Sequence, residues 1–250
     1  MQDRYAGDVG DFMKLGLLRC LASSDLSLGI NWYLAPEEFH NSDGKHIAYL
    51  SSTNKIGRKL EPCDPPLYLA LRELVENQQR SVISLEAAGV LPQDTETFAV
   101  PLERGMATSQ RARWHNNGLS FLEGCELVFL DPDNGMRVGP GQRLEKFALA
   151  NEISDYFAAG STVVVYHHAD RSKGGVPAQL RRRLDELGEA TGSEVCGAVV
   201  ARRVSCRFFL IAAQPAHRDT LALRLSDYAI RWRGHAEVSF DSPAREAARS

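Results

Sequence analysis

Residues 125–135, CELVFLDPDNG, contain the transition that decides the fold. Four apolar residues at 127–130 run directly into a polar segment. The four residues of that segment are Asp131, Pro132, Asp133 and Asn134. A short, continuous apolar run bounded by turn residues is typical of a fully buried strand. We therefore predict a buried strand over residues 125–131 that delivers two carboxylates and an amide to one place.

Helices and strands alternate along the rest of the chain. The apolar spacing over residues 9–23 is helical, and Asp64 and Pro65 suit the N-cap and first position of a second helix. The predicted helices are 9–23, 63–79, 144–160 (closed by Gly160) and 177–192, and the predicted strands are 28–36, 80–86, 111–118, 125–131, 161–168, 193–203 and 205–214. This order predicts an α/β fold, a doubly wound, mostly parallel, Rossmann-like sheet with a C-terminal antiparallel hairpin.

The chain is long enough to bury a substantial core in one unit. We predict a single domain over residues 1–240, which begins with a helical segment at 5–24. Residues from about 87 to 112 are expected to form a loop-rich insertion, and residues 241–250 a flexible tail.

Composition narrows the class of protein. A net charge of −3 excludes a surface that is basic throughout, but the arginines at 181–183 and at 202, 203 and 207 leave local contact with nucleic acid open. Five cysteines without a C-x-x-C pair predict mostly buried thiols in a reducing compartment. No apolar run approaches the roughly 20 residues needed to cross a bilayer. We therefore expect a cytoplasmic protein with no membrane partner.

Ligands of open α/β sheets bind beyond the carboxyl ends of the strands. Asp131, Glu86 and His167 all fall at or near the ends of predicted strands. Because the strand of Asp131 and that of His167 are expected to be neighbours, we predict that their polar side chains converge there.

Five segments, followed in order by AAGSTVVVYHH and the closing hairpin, resemble a known family from about residue 5 to residue 215. They are YAGDVGDFMKLGLL (with Ala6, Gly7, Asp11 and Lys14), HNSDGK (with His40, Gly44 and Lys45), SLE (with Glu86), HNNG (with Asn117 and Gly118) and LVFLDPDNG (with Asp131 and Pro132). This series resembles the bacterial large-subunit ribosomal RNA adenine N6-methyltransferases, which are S-adenosylmethionine-dependent enzymes of the class I methyltransferase fold.

The resemblance implies a methyltransferase that acts on a nucleic-acid base amine in RNA or DNA. It implies that S-adenosylmethionine is held by Lys14, His40, Gly44, Glu86, Asn117 and Gly118. It places catalysis at Asp131, Pro132, Asp133 and Asn134. The chain departs from the family at Leu15, which replaces a cofactor-contacting histidine, and at positions 133 and 134, which replace a proline and the aromatic that stacks on the base. Tyr166 on the next strand is a candidate replacement for that aromatic.

Two other functions stay open. The first is a metal-dependent phosphoesterase or nuclease, because carboxylate and imidazole groups are ligands for Mg²⁺, Mn²⁺ or Zn²⁺. Its candidate ligands are Asp131, Asp133, His167, His168 and Asp170. The second is a protein of the same fold that binds RNA, a nucleotide or a protein without catalysis. The DPPLY segment at 64–68 is interpreted as a helix start rather than a catalytic motif.

Overall fold

A computed structural model describes residues 1–22, 26–36 and 44–240 of the chain. Predicted residue His40, the last positions of the N-terminal segment and the predicted tail at 241–250 lie outside the described residues. The nine strands of the described part are β1 (Leu28–Asn31), β2 (Glu96–Phe98), β3 (Leu127–Leu130), β4 (Gly135–Arg137), β5 (Phe147–Leu149), β6 (Thr162–His168), β7 (Val195–Arg203), β8 (Ser205–Ala213) and β9 (Ala236–Ser239).

Seven of these strands form one sheet in the order β2-β1-β3-β6-β8-β7-β9, and β4 pairs with β5 in a separate small sheet. Strands β2, β1, β3, β6 and β7 run in one direction, whereas β8 and β9 run in the opposite one. The prediction of a mostly parallel sheet with a C-terminal antiparallel hairpin is therefore confirmed at this level. The hairpin's second strand, β8, lies between β6 and β7.

Helices lie on both sides of the sheet. They are α1 (Val9–Leu21), α2 (Gly57–Leu60), α3 (Pro65–Glu76), α4 (Val82–Ala87), α5 (Thr108–Phe121), α6 (Ala150–Ala158), α7 (Gly175–Thr191) and α8 (Arg218–Arg231). None of these described helices is long and apolar enough to cross a membrane. The start of α3 is as predicted, since the Asp64 side chain accepts a hydrogen bond from the Leu67 amide and Pro65 follows it.

Alternate residues of β3 face two separate hydrophobic clusters. Leu127 and Phe129 belong to the cluster that contains α1, whereas Val128 and Leu130 belong to the one that contains residues of α5, α6 and α7. All four side chains are fully buried, as expected for a strand covered on both faces. The apolar run therefore places β3 in the interior of the sheet, and Asp131 directly follows its carboxyl end.

Two predicted strands are helices in the structure, and these predictions were wrong. Residues 80–86 form most of α4, which begins after Ser81, whose hydroxyl accepts from the Ser84 amide. Val82 and Leu85, three residues apart, are its buried side chains. Residues 111–118 lie within α5, whose buried positions 111, 114, 115 and 118 have the helical period.

The region predicted as a loop-rich insertion supplies a strand of the sheet. Strand β2 lies inside it and pairs in parallel with β1, with Gly29 opposite Glu96. The predicted helix at 144–160 is also divided, because only residues 150–158 are α-helical and residues 147–149 form β5. Neither α8 nor β9 was predicted; β9 adds a further antiparallel strand beside β7.

Candidate functional site

A cavity of about 430 Å³ lies beyond the carboxyl ends of β3 and β6, beside the N-terminus of α1. We call it the edge cavity. The predicted site residues that line it are Lys14, Gly44, Asp131, Pro132, Asp133, Asn134 and His168. The motif that follows β3 thus reaches the place at which ligands bind in sheets of this type.

Lys14 is the centre of the charged groups in this cavity. Its Nζ lies 2.6 Å from Oδ1 of Asp11 and 2.7 Å from Oδ2 of Asp131. The same Nζ lies 5.0 Å from the centroid of the Trp32 ring. The side chains of all three charged residues are at most 5% exposed, so one buried ammonium group is shared by two buried carboxylates.

The pKa values of Asp11 and Lys14, both on α1, are shifted in this buried group of charges. Burial raises the pKa of Asp11 to about 6, and repulsion from Asp8 and Asp131 adds to the effect, which Lys14 only partly offsets. Burial by itself lowers the pKa of Lys14, but the attraction of Asp11 and Asp131 outweighs it and raises the pKa above its ordinary value. Lys14 therefore stays charged, whereas Asp11 takes up a proton in mild acid.

We expect the raised pKa of Asp11 to make folding stability fall as pH rises from about 4 to about 6. In that window the folded protein holds a proton that the unfolded chain has released, so each step up in pH favours the unfolded chain. The free energy of unfolding should change by about 1–3 kcal/mol less between pH 4 and pH 6 in Asp11→Asn than in the wild type, since one pKa unit corresponds to about 1.4 kcal/mol. Urea unfolding of the wild type and the variant between pH 4 and 7 measures it; parallel pH profiles would contradict the assignment.

Asp131 is positioned by its strand and by Lys14. Its backbone amide donates to the Asn31 carbonyl at 3.0 Å, which continues the pairing of β3 with β1. Its Oδ2 accepts from Lys14, and among the described residues no hydrogen bond reaches Oδ1. The amino group of Met1 lies 2.7 Å from its carbonyl oxygen. One oxygen of a buried carboxylate thus keeps its acceptor capacity at the cavity.

Asp133 has a different environment. Its Oδ2 accepts from the Gln2 amide at 2.5 Å and lies 3.6 Å from Nζ of Lys146, while its Oδ1 lies 3.1 Å from the Met1 amino group. Burial alone would raise the pKa of Asp133, but these neighbours outweigh it and lower that pKa below its usual value. Asp133 is therefore an ionised group that anchors the N-terminal segment to the cavity wall.

The last residue of the motif, Asn134, is exposed and held through its backbone. Its amide donates to the Lys146 carbonyl at 2.9 Å, and its carbonyl accepts from the His168 amide at 3.1 Å. Tyr166, from β6, lines the same cavity, and its hydroxyl lies 3.2 Å from Nδ1 of His168. An aromatic side chain is therefore present in the cavity, on the neighbouring strand.

The two histidines at the end of β6 lie in different environments. His167 is buried; its Nδ1 accepts from the Met136 amide at 3.2 Å, and its ring is stacked on Phe208. Burial, reinforced by Arg183, lowers the pKa of His167 to about 3, so the ring is neutral. His168 is exposed and lines the edge cavity.

The candidate metal ligands are not assembled. Asp131 is paired with Lys14, His167 serves the backbone of β4, and the Asp170 carboxylate accepts from the Ser172 amide at 2.8 Å. Within residues 1–22, 26–36 and 44–240 there is no group of three or more His, Cys, Asp or Glu side chains arranged to hold a metal ion.

Three of the residues that the resemblance assigns to the cofactor lie outside the edge cavity. Glu86 lies within α4 rather than at the end of a strand, and its Oε1 accepts a hydrogen bond from the Trp32 indole at 2.8 Å. Asn117 is exposed on α5. Gly118, one residue later, is buried, and a Cβ there would lie 3.1 Å from Nδ2 of Asn31. These three positions do not form one binding surface with Asp131.

Arg207 is a cavity residue that the sequence indicated only as a member of a basic cluster with Arg202 and Arg203, and it lies among apolar residues of β8. It is 7% exposed, and its Nη1 donates to the Arg203 carbonyl at 3.0 Å. A Cβ at Gly10 would lie 2.7 Å from Nε of Arg207, so glycine at the start of α1 allows this close approach. An arginine inside an otherwise apolar strand was the signal available in the sequence.

No protein-family model matches the chain, and no curated protein matches it significantly.

Proposed function

We propose that the edge cavity binds an amino group against Asp131, in an enzyme that transfers a methyl group to that nitrogen. One observation carries the proposal: a buried carboxylate stands at the carboxyl end of central strand β3, and its Oδ1 makes no hydrogen bond with any described residue while Oδ2 is fixed by Lys14. A carboxylate held in one orientation can accept from a substrate N–H and set the direction of the nitrogen lone pair.

The cavity supports the binding of a small ligand in two further ways. Its volume of about 430 Å³ lies within the range of about 300–1,000 Å³ common for ligand pockets. Tyr166 supplies an aromatic side chain, and Arg207 supplies a guanidinium group, so a planar amine has both a stacking partner and a polar contact. Pro132 lies between the two acids and restricts the backbone that follows Asp131.

Only part of the residue set that the resemblance assigns to the methyl donor is assembled at the edge cavity. Lys14 and Gly44 line the edge cavity, but Glu86, Asn117 and Gly118 do not. Lys14 is also occupied by its two carboxylates. We therefore assign no step to S-adenosylmethionine; methyl transfer is proposed from the resemblance and from the sheet, whose parallel strands and terminal hairpin agree with it.

A metal-dependent phosphoesterase is less well supported. Asp131 and Asp133 each face cationic groups of the chain itself, which offset the negative charge that would attract a divalent cation. A non-catalytic binding function would use the same edge cavity, and only a measurement of turnover distinguishes it from the proposed methyl transfer.

We expect Asp131→Asn to lower methyl transfer at least about 100-fold, since a misplaced reacting group can cost that factor. The assay is transfer of a labelled methyl group from S-adenosylmethionine to RNA, DNA and small amines. Glu86→Gln, outside the cavity, is the control and should keep wild-type activity within about twofold, because it touches no reacting group.

Two outcomes would overturn the proposal. One is wild-type activity that survives Asp131→Asn. The other is a folded wild-type protein that transfers no methyl group to any acceptor and binds an amine no more tightly than the Asp131→Asn variant does. Circular dichroism of both variants establishes that they are folded.

A further inference from the structure

A second cavity, of about 440 Å³, is lined by residues 102–106, 108, 111, 141–145 and 149. We call it the side cavity. Its first segment follows β2, and the Leu102 amide donates to the Leu34 carbonyl, just beyond β1. It therefore lies at the carboxyl ends of β2 and β1, along the same edge of the sheet as the edge cavity. This is again the edge where doubly wound sheets bind ligands.

The walls of the side cavity are largely apolar. They include the side chains of Leu102, Met106, Leu144 and Leu149. Leu102 is fully buried, whereas the other three are partly exposed, so an apolar surface is available to a ligand. Apolar walls with a few polar groups are typical of sites for small organic molecules.

Glu145 is the buried acid among the polar residues that line this cavity. The residue is 6% exposed, and its Oε1 is buried without a hydrogen bond from any described residue. Nε of Arg104 lies 3.6 Å from that oxygen and Nε of Arg143 lies 3.8 Å from it, so charge is balanced while hydrogen bonding is not. A buried acceptor without a donor costs free energy, and a ligand that donates to it removes that cost.

The neighbouring Arg111 donates no hydrogen bond to Oε1 of Glu145, because its guanidinium group is fully engaged elsewhere. Its guanidinium group contacts both oxygens of Glu152, at 2.6 and 2.9 Å, and donates to the carbonyls of Leu144 and Phe147 at 2.7 Å. Arg111 thereby fixes one side of the cavity, and Glu145 is left as the acceptor in its wall.

We propose that the side cavity binds a nucleoside moiety. Its apolar walls enclose the base, and Glu145 accepts hydrogen bonds from the two vicinal ribose hydroxyls, as one carboxylate can do. A neutral donor is favoured over a cation because Arg104 and Arg143 already balance the carboxylate. This inference does not depend on the role of Asp131.

The test is calorimetric titration of the full chain with adenosine and with 2′-deoxyadenosine. We expect adenosine to bind at least about 10-fold more tightly, because loss of one hydrogen bond to a charged group is worth about 1.5–3 kcal/mol. Glu145→Gln should weaken adenosine binding by a similar factor and abolish the preference for the ribose form. Glu103→Gln, an exposed acid on the same cavity, is the matched control and should bind as the wild type does.

The source of the nucleoside is distinguished by two further ligands. Tighter binding of S-adenosylhomocysteine than of adenosine indicates the methyl-donor product, and tighter binding of adenosine monophosphate indicates a nucleotide; either result supports the proposal. No adenosine binding at millimolar concentration, or equal binding by the wild type and a folded Glu145→Gln variant, would overturn it. The two proposals fail separately, because Glu145→Gln is tested by the preference for adenosine over 2′-deoxyadenosine, whereas Asp131→Asn is tested by methyl transfer.

Discussion

Lys14→Met is expected to destabilise the fold by about 3–5 kcal/mol at pH 7, the usual cost of removing one partner from a buried ion pair. The ammonium group of Lys14 touches both Asp11 and Asp131, and the substitution would leave two buried carboxylates facing each other without a cation. Part of the loss should be regained as pH falls from 7 to 4, because Asp11, whose pKa is raised by burial, then takes up a proton in the folded variant. Urea unfolding across that range measures both effects.

The control is Lys55→Met, which removes an exposed lysine and should change the free energy of unfolding by less than about 0.5 kcal/mol. The double variant Lys14→Met/Asp131→Asn should recover part of the loss, since it removes one of the unpaired charges. If Lys14→Met proved no more destabilising than Lys55→Met, the shared ion pair would not have the energetic importance that its burial indicates.

Gly135→Ala should cost roughly 2–6 kcal/mol, from strain and overpacking of about 1–3 kcal/mol each. Gly135 has φ of +121°, and a Cβ there would lie 2.1 Å from Nδ1 of His167 and 2.7 Å from its Cα. The contact with the backbone Cα of His167 can be relieved only by moving β6 away from the loop that follows Asp131. Thermal or denaturant unfolding measures the loss of stability.

Gly139→Ala is the matched comparison, because Gly139 also has a positive φ, +76°, but nothing lies within 4 Å of the position that a Cβ would take there. Only backbone strain applies at this residue, about 1–2 kcal/mol. Equal costs at the two positions would show that contact with His167 adds nothing.

The sequence predicted the middle of the sheet well because its signals there are local. The run 127–130 is apolar and short and forms β3, and Asp131, in the motif that follows it, lines the edge cavity. The start of α3 was likewise predictable, since its N-cap and proline are adjacent in sequence. Local sequence patterns were sufficient for elements whose signals lie within a few adjacent residues.

The errors arise where burial depends on distant partners. Arg111 lies on the buried face of α5 because Glu152, 41 residues away, pairs with it, so apolar periodicity missed that helix. Strand β2 has only three residues and depends on β1 for its pairing. The contact of Lys14 with Asp131 spans 117 residues, and only the family resemblance suggested that Lys14 belonged to the site.

The position of β8 has a consequence for synthesis of the chain. Strand β6 is made before β8, yet β8 is its partner on one side, and β7 also pairs with β8 rather than with β6. A nascent chain that has reached only residue 204 therefore exposes one unpaired edge of β6, with buried-type residues Val163, Val164 and Val165 along it. Unpaired apolar edges invite intermolecular pairing. We therefore expect the edge of β6 to stay open to such pairing until β8 has been made and pairs with it.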